Sequence, residues 1–210
     1  MPPRKFIAPK AIDHTIAEER MWESNISINV DGDKRPEPRV VYIFGEIGDA
    51  DGTTAFEVTQ RVVELVQNSR HSQITVAINS PGGSVPDGLS MLDAFDMARA
   101  NGVKVVTRCQ GQAQSMAADL LALGGDLRSI SPNSFVMTHG DWDKNLGFGD
   151  MLDLEAEMHV RNLTNNRLLD LYEQKTKRPR KFWSRIFKDS RPVYWTPQEA
   201  RAAGLVDVIY

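Results

Sequence analysis

Short β-branched runs alternate with helix-length segments throughout this chain from Arg39 onward. Val40-Val41-Tyr42-Ile43-Phe44, Ile74-Thr75-Val76-Ala77-Ile78, Val103-Lys104-Val105-Val106-Thr107 and Phe135-Val136-Met137-Thr138 each read as a buried strand. Between the first two, Asp51 to Ser69 carries Phe56, Val58, Val62, Val63, Leu65 and Val66 at mostly helical spacing, with Thr53 or Thr54 available as its cap. Gly88 to Ala100 reads as a second helix and Ser115 to Leu123 as a buried apolar one. Met151 to Lys175 reads as a long helix with many charges on one side, and Pro197 to Ala203 as a short helix before a last strand at Leu205 to Ile209. Strands and helices in this order connect by right-handed βαβ crossovers, so the expected fold class is α/β with a mostly parallel sheet. The long helix does not fit the alternation, and is expected to project from the core and pack against another subunit. Residues 1 to 38 read differently: Pro2, Pro3, Pro9, Pro36 and Pro38 surround an Asp31-Gly32-Asp33 turn signal. There Ile26, Ile28 and Val30 alternate with polar residues, which suggests one short strand or hairpin arm. The expected organisation is an irregular N-terminal segment, 1–38, followed by one domain, 39–210.

Composition narrows the function classes. At 210 residues, 41% hydrophobic and 25% charged, the chain has what one soluble globular domain needs to fill a sizeable core. A net charge of -3 provides no long-range pull toward nucleic acid or an anionic membrane. No apolar run approaches the roughly 20 residues of a membrane helix. The basic residues of Met1 to Lys10 have no apolar block behind them, which argues against a secretory signal. The single cysteine, Cys109, makes no internal disulfide, and a reducing cytoplasm is the simplest compartment. Cys109 follows a β-branched run and reads as a small buried hydrophobe in preference to a nucleophile. There is no His-x-x-x-His or Cys-x-x-Cys pair and no Gly-x-x-x-x-Gly-Lys loop, so neither a metal nor a bound nucleotide is expected.

Three segments carry candidate chemistry. Asn79-Ser80-Pro81-Gly82-Gly83-Ser84 follows the second strand. Its glycines allow close approach to backbone N–H groups, which at a strand's carboxyl end can hold a developing oxyanion; the segment also reads as a plain turn. In Gly111-Gln112-Ala113-Gln114-Ser115-Met116-Ala117-Ala118 a strand ends, a small-residue turn follows, and Ser115 opens an apolar helix. This has the logic of a nucleophile elbow without the Gly-x-Ser-x-Gly spacing, but on this segment alone Ser115 reads as a helix N-cap in preference to a nucleophile. His139 ends the fourth strand run, where open α/β sheets place active residues, and imidazole has the pKa a base for serine requires; taken alone it reads equally as a structural histidine. His14, His71 and His159 lie in the irregular segment, beside a turn and on the charged helix.

Taken together, these segments resemble the ClpP family, the proteolytic subunits of the Clp protease. The resemblance begins at Arg39-Val40-Val41-Tyr42-Ile43-Phe44-Gly45 and continues through Ile78 to Ser84. It is strongest at Gly111 to Ala117, and extends through Pro132-Asn133-Ser134-Phe135-Val136-Met137-Thr138-His139, Glu199-Ala200 and Gly204-Leu205-Val206-Asp207. The resemblance implies a crotonase-like superhelix of βαβ units whose handle helix, about 151–175, interlocks two rings. It implies Ser115 as nucleophile, His139 as base, and the backbone N–H groups of Gly83 and Met116 as the oxyanion hole. Two stacked heptamers would enclose a chamber, and a partner AAA+ unfoldase of the ClpX, ClpA or ClpC type would deliver unfolded polypeptide and spend the ATP.

The chain departs from the family pattern in three places. The segment before Val193-Tyr194-Trp195-Thr196-Pro197 holds about two extra residues, which makes Asp189 the expected acid of the triad. Asp189 also reads as a solvated loop charge beside Lys188 and Arg191. The N-terminus does not resemble the usual gating loop. His139 is followed by Gly140-Asp141-Trp142, and Lys175 to Lys181 is unusually basic, reading as a solvated tip or loop. These departures suggest a divergent branch, such as a phage-encoded or cyanobacterial-type paralogue. Two other readings stay open: a non-catalytic ring subunit that assembles with an active paralogue, and a crotonase-type acyl-CoA enzyme on the same fold.

Overall fold

The computed structural model describes residues 39–67, 73–140, 151–188 and 191–210. The N-terminal segment with its suggested hairpin arm, and Asp189, lie outside them. In chain order the elements are β1 (Val40–Phe44), α1 (Ala55–Gln67), β2 (Gln73–Ser80), α2 (Val85–Ala100), β3 (Lys104–Gln114), α3 (Met116–Gly124), β4 (Leu127–Ile130) and β5 (Phe135–Thr138). There follow α4 (Met151–Thr176), α5 (Arg180–Lys188), β6 (Val193–Trp195), α6 (Pro197–Ala203) and β7 (Val208–Ile209).

The expected α/β class holds. Strands β1-β2-β3-β4-β7 lie side by side in that order and every pairing among them is parallel. β2 and β3, buried almost throughout, read as continuous apolar runs because helices cover the sheet. α1 begins with a capping box: Thr54 N–H and hydroxyl donate to Glu57, and Glu57 N–H donates back to Thr54 Oγ1. Thr53, the other candidate cap, is buried and bonds Phe44 instead. α3 is apolar on every side, and all its residues except Asp119 are buried, as an all-round apolar helix must be. α4 divides into two parts. Leu168, Leu169 and Tyr172 are buried, while Met158, Val160 and Leu163 stand more than half exposed.

The structure corrects two readings and adds two strands. β3 does not turn at Gly111; it continues to Gln114, because β5 supplies a new parallel partner through Gln112↔Phe135, Ala113↔Val136 and Gln114↔Met137. β4 has no apolar run to announce it. Arg128 and Ser129 are nonetheless buried, because Arg128 reaches Asp207 and Ser129 donates to Thr107 O. The basic stretch is not a loop to its end: Arg180 opens α5, whose Phe182, Trp183, Ile186 and Phe187 pack onto the core. Val193–Trp195 is a strand, β6, running antiparallel to β5.

Arg128 fastens the carboxyl end of the fold. Its guanidinium donates to both carboxylate oxygens of Asp207 and to the carbonyls of Ala122 and Gly204. Removing it strands an ion-pair partner and two carbonyls, so Arg128→Ala should cost about 3 kcal/mol in a denaturant melt. The matching loss for Asp207→Asn should be smaller, because the amide oxygen still accepts from the guanidinium.

Candidate active site

The parallel register Gln114↔Met137 brings β3 and β5 to an end at the same edge, and Ser115 and His139 emerge there. Ser115 has φ 53 and ψ -127; among the described residues the only other non-glycine with positive φ is Lys177. A side chain in that region costs on the order of 1–3 kcal/mol, so the surroundings must hold it. Ser115 N–H donates to Met137 O at 2.9 Å, and Ser115 C=O accepts from the N–H groups of Ala118 at 2.8 Å and Asp119 at 3.2 Å. The backbone is thus clamped between β5 and the first turn of α3. The Ser115 side chain makes no capping bond. Its Oγ lies 2.8 Å from His139 Nε2. Ser115 thus stands at the N-cap position of α3 without using its side chain as a cap.

Gly82 passes directly against this serine. A Cβ on Gly82, whose φ is +99, would lie 2.6 Å from Gln114 O, 2.7 Å from Ser115 Cβ and 3.2 Å from Met116 N. Ile47 N–H donates to Gly82 O and Ser84 N–H donates to Ile47 O, each at 2.8 Å. Those bonds flank Gly83 and leave its own N–H outside the pairing with Ile47. Met116 opens α3, so its N–H is one of the amides with no acceptor inside the helix. Its side chain is locked against Gly88, where a Cβ would stand 2.3 Å from Met116 Cγ. The structure thus brings together Ser115, His139, the Gly82-Gly83 turn and the amide end of α3. The predicted acid, Asp189, lies outside the described residues.

The sequence model of the Clp protease family matches residues 35–210. The chain belongs to the Clp protease family. The mixed α/β fold with its largely parallel sheet is the one that family membership implies.

In this Clp-family chain Cys109 is fully buried in β3, and burial pushes its thiol up from 9.0 to about 12. A thiol so poorly ionised is no nucleophile at neutral pH. Iodoacetamide at pH 8 should therefore modify Cys109 only after denaturation. Because the folded thiol binds its proton more tightly than the unfolded one, its contribution to stability is complete below about pH 9 and is lost as the pH rises toward 12.

Sequence reasoning took the Pro-Gly-Gly segment for its amides and singled out Gly83. It missed that Gly82 is what makes room for Ser115. It also missed Thr138 and Asp119, next to the pair in the chain or bonded to its backbone, and Trp195 and Tyr172, which hydrogen-bond those two. The glycine doublet was a readable signal for the first. For the others no local signal exists, since their partners lie far away in the chain.

Proposed function

We infer that the chain is a serine-type endopeptidase. The 2.8 Å contact between Ser115 Oγ and His139 Nε2, on a serine held at φ 53, carries this reading. Ser115 Oγ attacks the scissile carbonyl carbon while His139 Nε2 takes its proton. The resulting oxyanion is met by the N–H groups of Gly83 and Met116, whose backbones are already fixed, so little reorganisation accompanies the reaction. As the tetrahedral centre collapses, His139 returns the proton to the departing amine, and the C–N bond breaks. Water, deprotonated by the same imidazole, then hydrolyses the acyl-enzyme and regenerates Ser115. Asp189 is the proposed acid that orients His139. The register Thr138↔Val193 sets the start of β6 beside the residue before His139, which supports the segment upstream of β6 as the acid's source.

Family membership supports the wider setting: stacked heptameric rings joined through α4, and an AAA+ unfoldase partner that delivers unfolded polypeptide; the single cysteine supports a reducing, cytoplasmic location. The Ser115–His139 geometry favours an active subunit over a non-catalytic ring member, and a peptidase over an acyl-CoA enzyme that would use carboxylates. The test is a fluorophosphonate probe on the assembled protein. Stoichiometric label on Ser115, with peptide hydrolysis lost in parallel, is the expected result. Assembled particles that take no label would refute the reading.

A further inference from the structure

Two hydrogen bonds between side chains hold the two halves of the Ser115–His139 pair, and both donors pack against the same indole. Tyr172 of α4 donates its hydroxyl to Asp119 Oδ1 at 2.5 Å. Asp119 lies in the first turn of α3, and its own N–H bonds the carbonyl of Ser115. Trp195 of β6 donates Nε1–H to Thr138 Oγ1 at 2.9 Å, and Thr138 immediately precedes His139. Between the donors stands Trp183 of α5, fully buried, its ring centroid 4.5 Å from Tyr172 and 6.3 Å from that of Trp195. Trp183 is itself fixed: its Nε1–H donates to Thr176 Oγ1 at 2.8 Å, and the Thr176 hydroxyl donates to Tyr172 O at 2.6 Å.

We propose that Tyr172, Trp183 and Trp195 form an aromatic bridge that sets the separation of Ser115 and His139, the two hydrogen-bond donors acting as positioning residues. The proposal rests on the serine peptidase reading above. Core filling alone does not account for the arrangement. Phenylalanine would occupy the Tyr172 site without bringing a hydroxyl that needs an acceptor in the interior. Both donors instead reach side chains within one turn of the reacting pair, on two different elements, α3 and β5. Burial and the neighbouring Asp119 carboxylate push the Tyr172 hydroxyl well above its ordinary pKa, so it stays a donor across the working pH range. A misplacement of about 1 Å at reacting atoms can cost on the order of 10²-fold in rate, so small shifts of either anchor matter.

Tyr172→Phe and Trp195→Phe each keep a ring and remove a donor. In full-length assembled protein, each should slow fluorophosphonate labelling of Ser115 and lower kcat about 10-fold, while KM stays within about twofold and the melt stays cooperative. The double variant should lose less than the product of the two, because both act on one separation. Trp183→Phe, which retains a stacking ring, should keep more activity than Trp183→Leu. Unchanged labelling and kcat in both single variants would overturn the bridge. So would losses that merely track the folded fraction. If the wild-type protein takes no label and cleaves no peptide, the peptidase reading fails instead. The bridge is then judged on crystal structures of the variants. A Ser115 Oγ–His139 Nε2 distance still at 2.8 Å refutes it, and a lengthened one supports it.

Discussion

Ser115→Ala should lower peptide hydrolysis by on the order of 10⁴- to 10⁶-fold and abolish fluorophosphonate labelling, with little change in the melt. The pairing of those two results is what discriminates. Were Ser115 a helix cap, alanine would cost about 1 kcal/mol of stability and leave the chemistry intact. Here the side chain caps nothing and meets His139 Nε2 instead. His139→Gln should be as damaging as Ser115→Ala, and the double variant no worse than either alone, since the two groups act as one unit. Initial rates on a short fluorogenic peptide and the melting transition of each assembled variant make the measurement. An alanine variant that keeps its activity would move the nucleophile elsewhere.

Gly82→Ala should also lower activity strongly, although it removes no reacting group. The new methyl would stand 2.7 Å from Ser115 Cβ and 2.6 Å from Gln114 O, closer than real Cβ contacts come, and the neighbour on one side is rigid backbone. Either the Pro81-Gly82-Gly83 turn or Ser115 must move. A shift of about 1 Å at the nucleophile corresponds to on the order of 10²-fold in kcat. Gly102→Ala is the control. It also imposes a side chain at positive φ, +76, but the methyl meets nothing within 4 Å. It should cost about 1 kcal/mol in the melt and leave kcat alone. Equal kinetic loss in both variants would show that backbone strain, not the collision with Ser115, is responsible.

The elements that were legible share a local cause. β1, β2 and the first half of β3 are β-branched runs, and α1, α2 and α6 have apolar spacing, caps or an N-terminal proline within their own few residues. The elements that were missed depend on distant partners. β4 contains Arg128 and Ser129, and becomes a buried strand only because Asp207, 79 residues away, meets the guanidinium. α5 hides its apolar face behind Arg180, Lys181, Arg185 and Lys188, and Trp183 reveals its role only against Tyr172. The polar end of β3 stays extended because β5 pairs with it.

The candidate site divides in the same way. The sequence by itself determined the residue types, since a glycine doublet after one strand, a serine at a helix start and a histidine at a strand end are patterns within short windows. It also placed Cys109 in the core. Only the tertiary structure decided where the Ser115 hydroxyl goes. Strain at φ 53 is tolerated because Met137, Ala118 and Asp119 hold the backbone from both sides, and the hydroxyl turns to His139 because β3 and β5 end in register. Periodicity and turn chemistry are properties of neighbours in the chain. A 2.8 Å contact across 24 residues depends on strand register, which local residues do not fix.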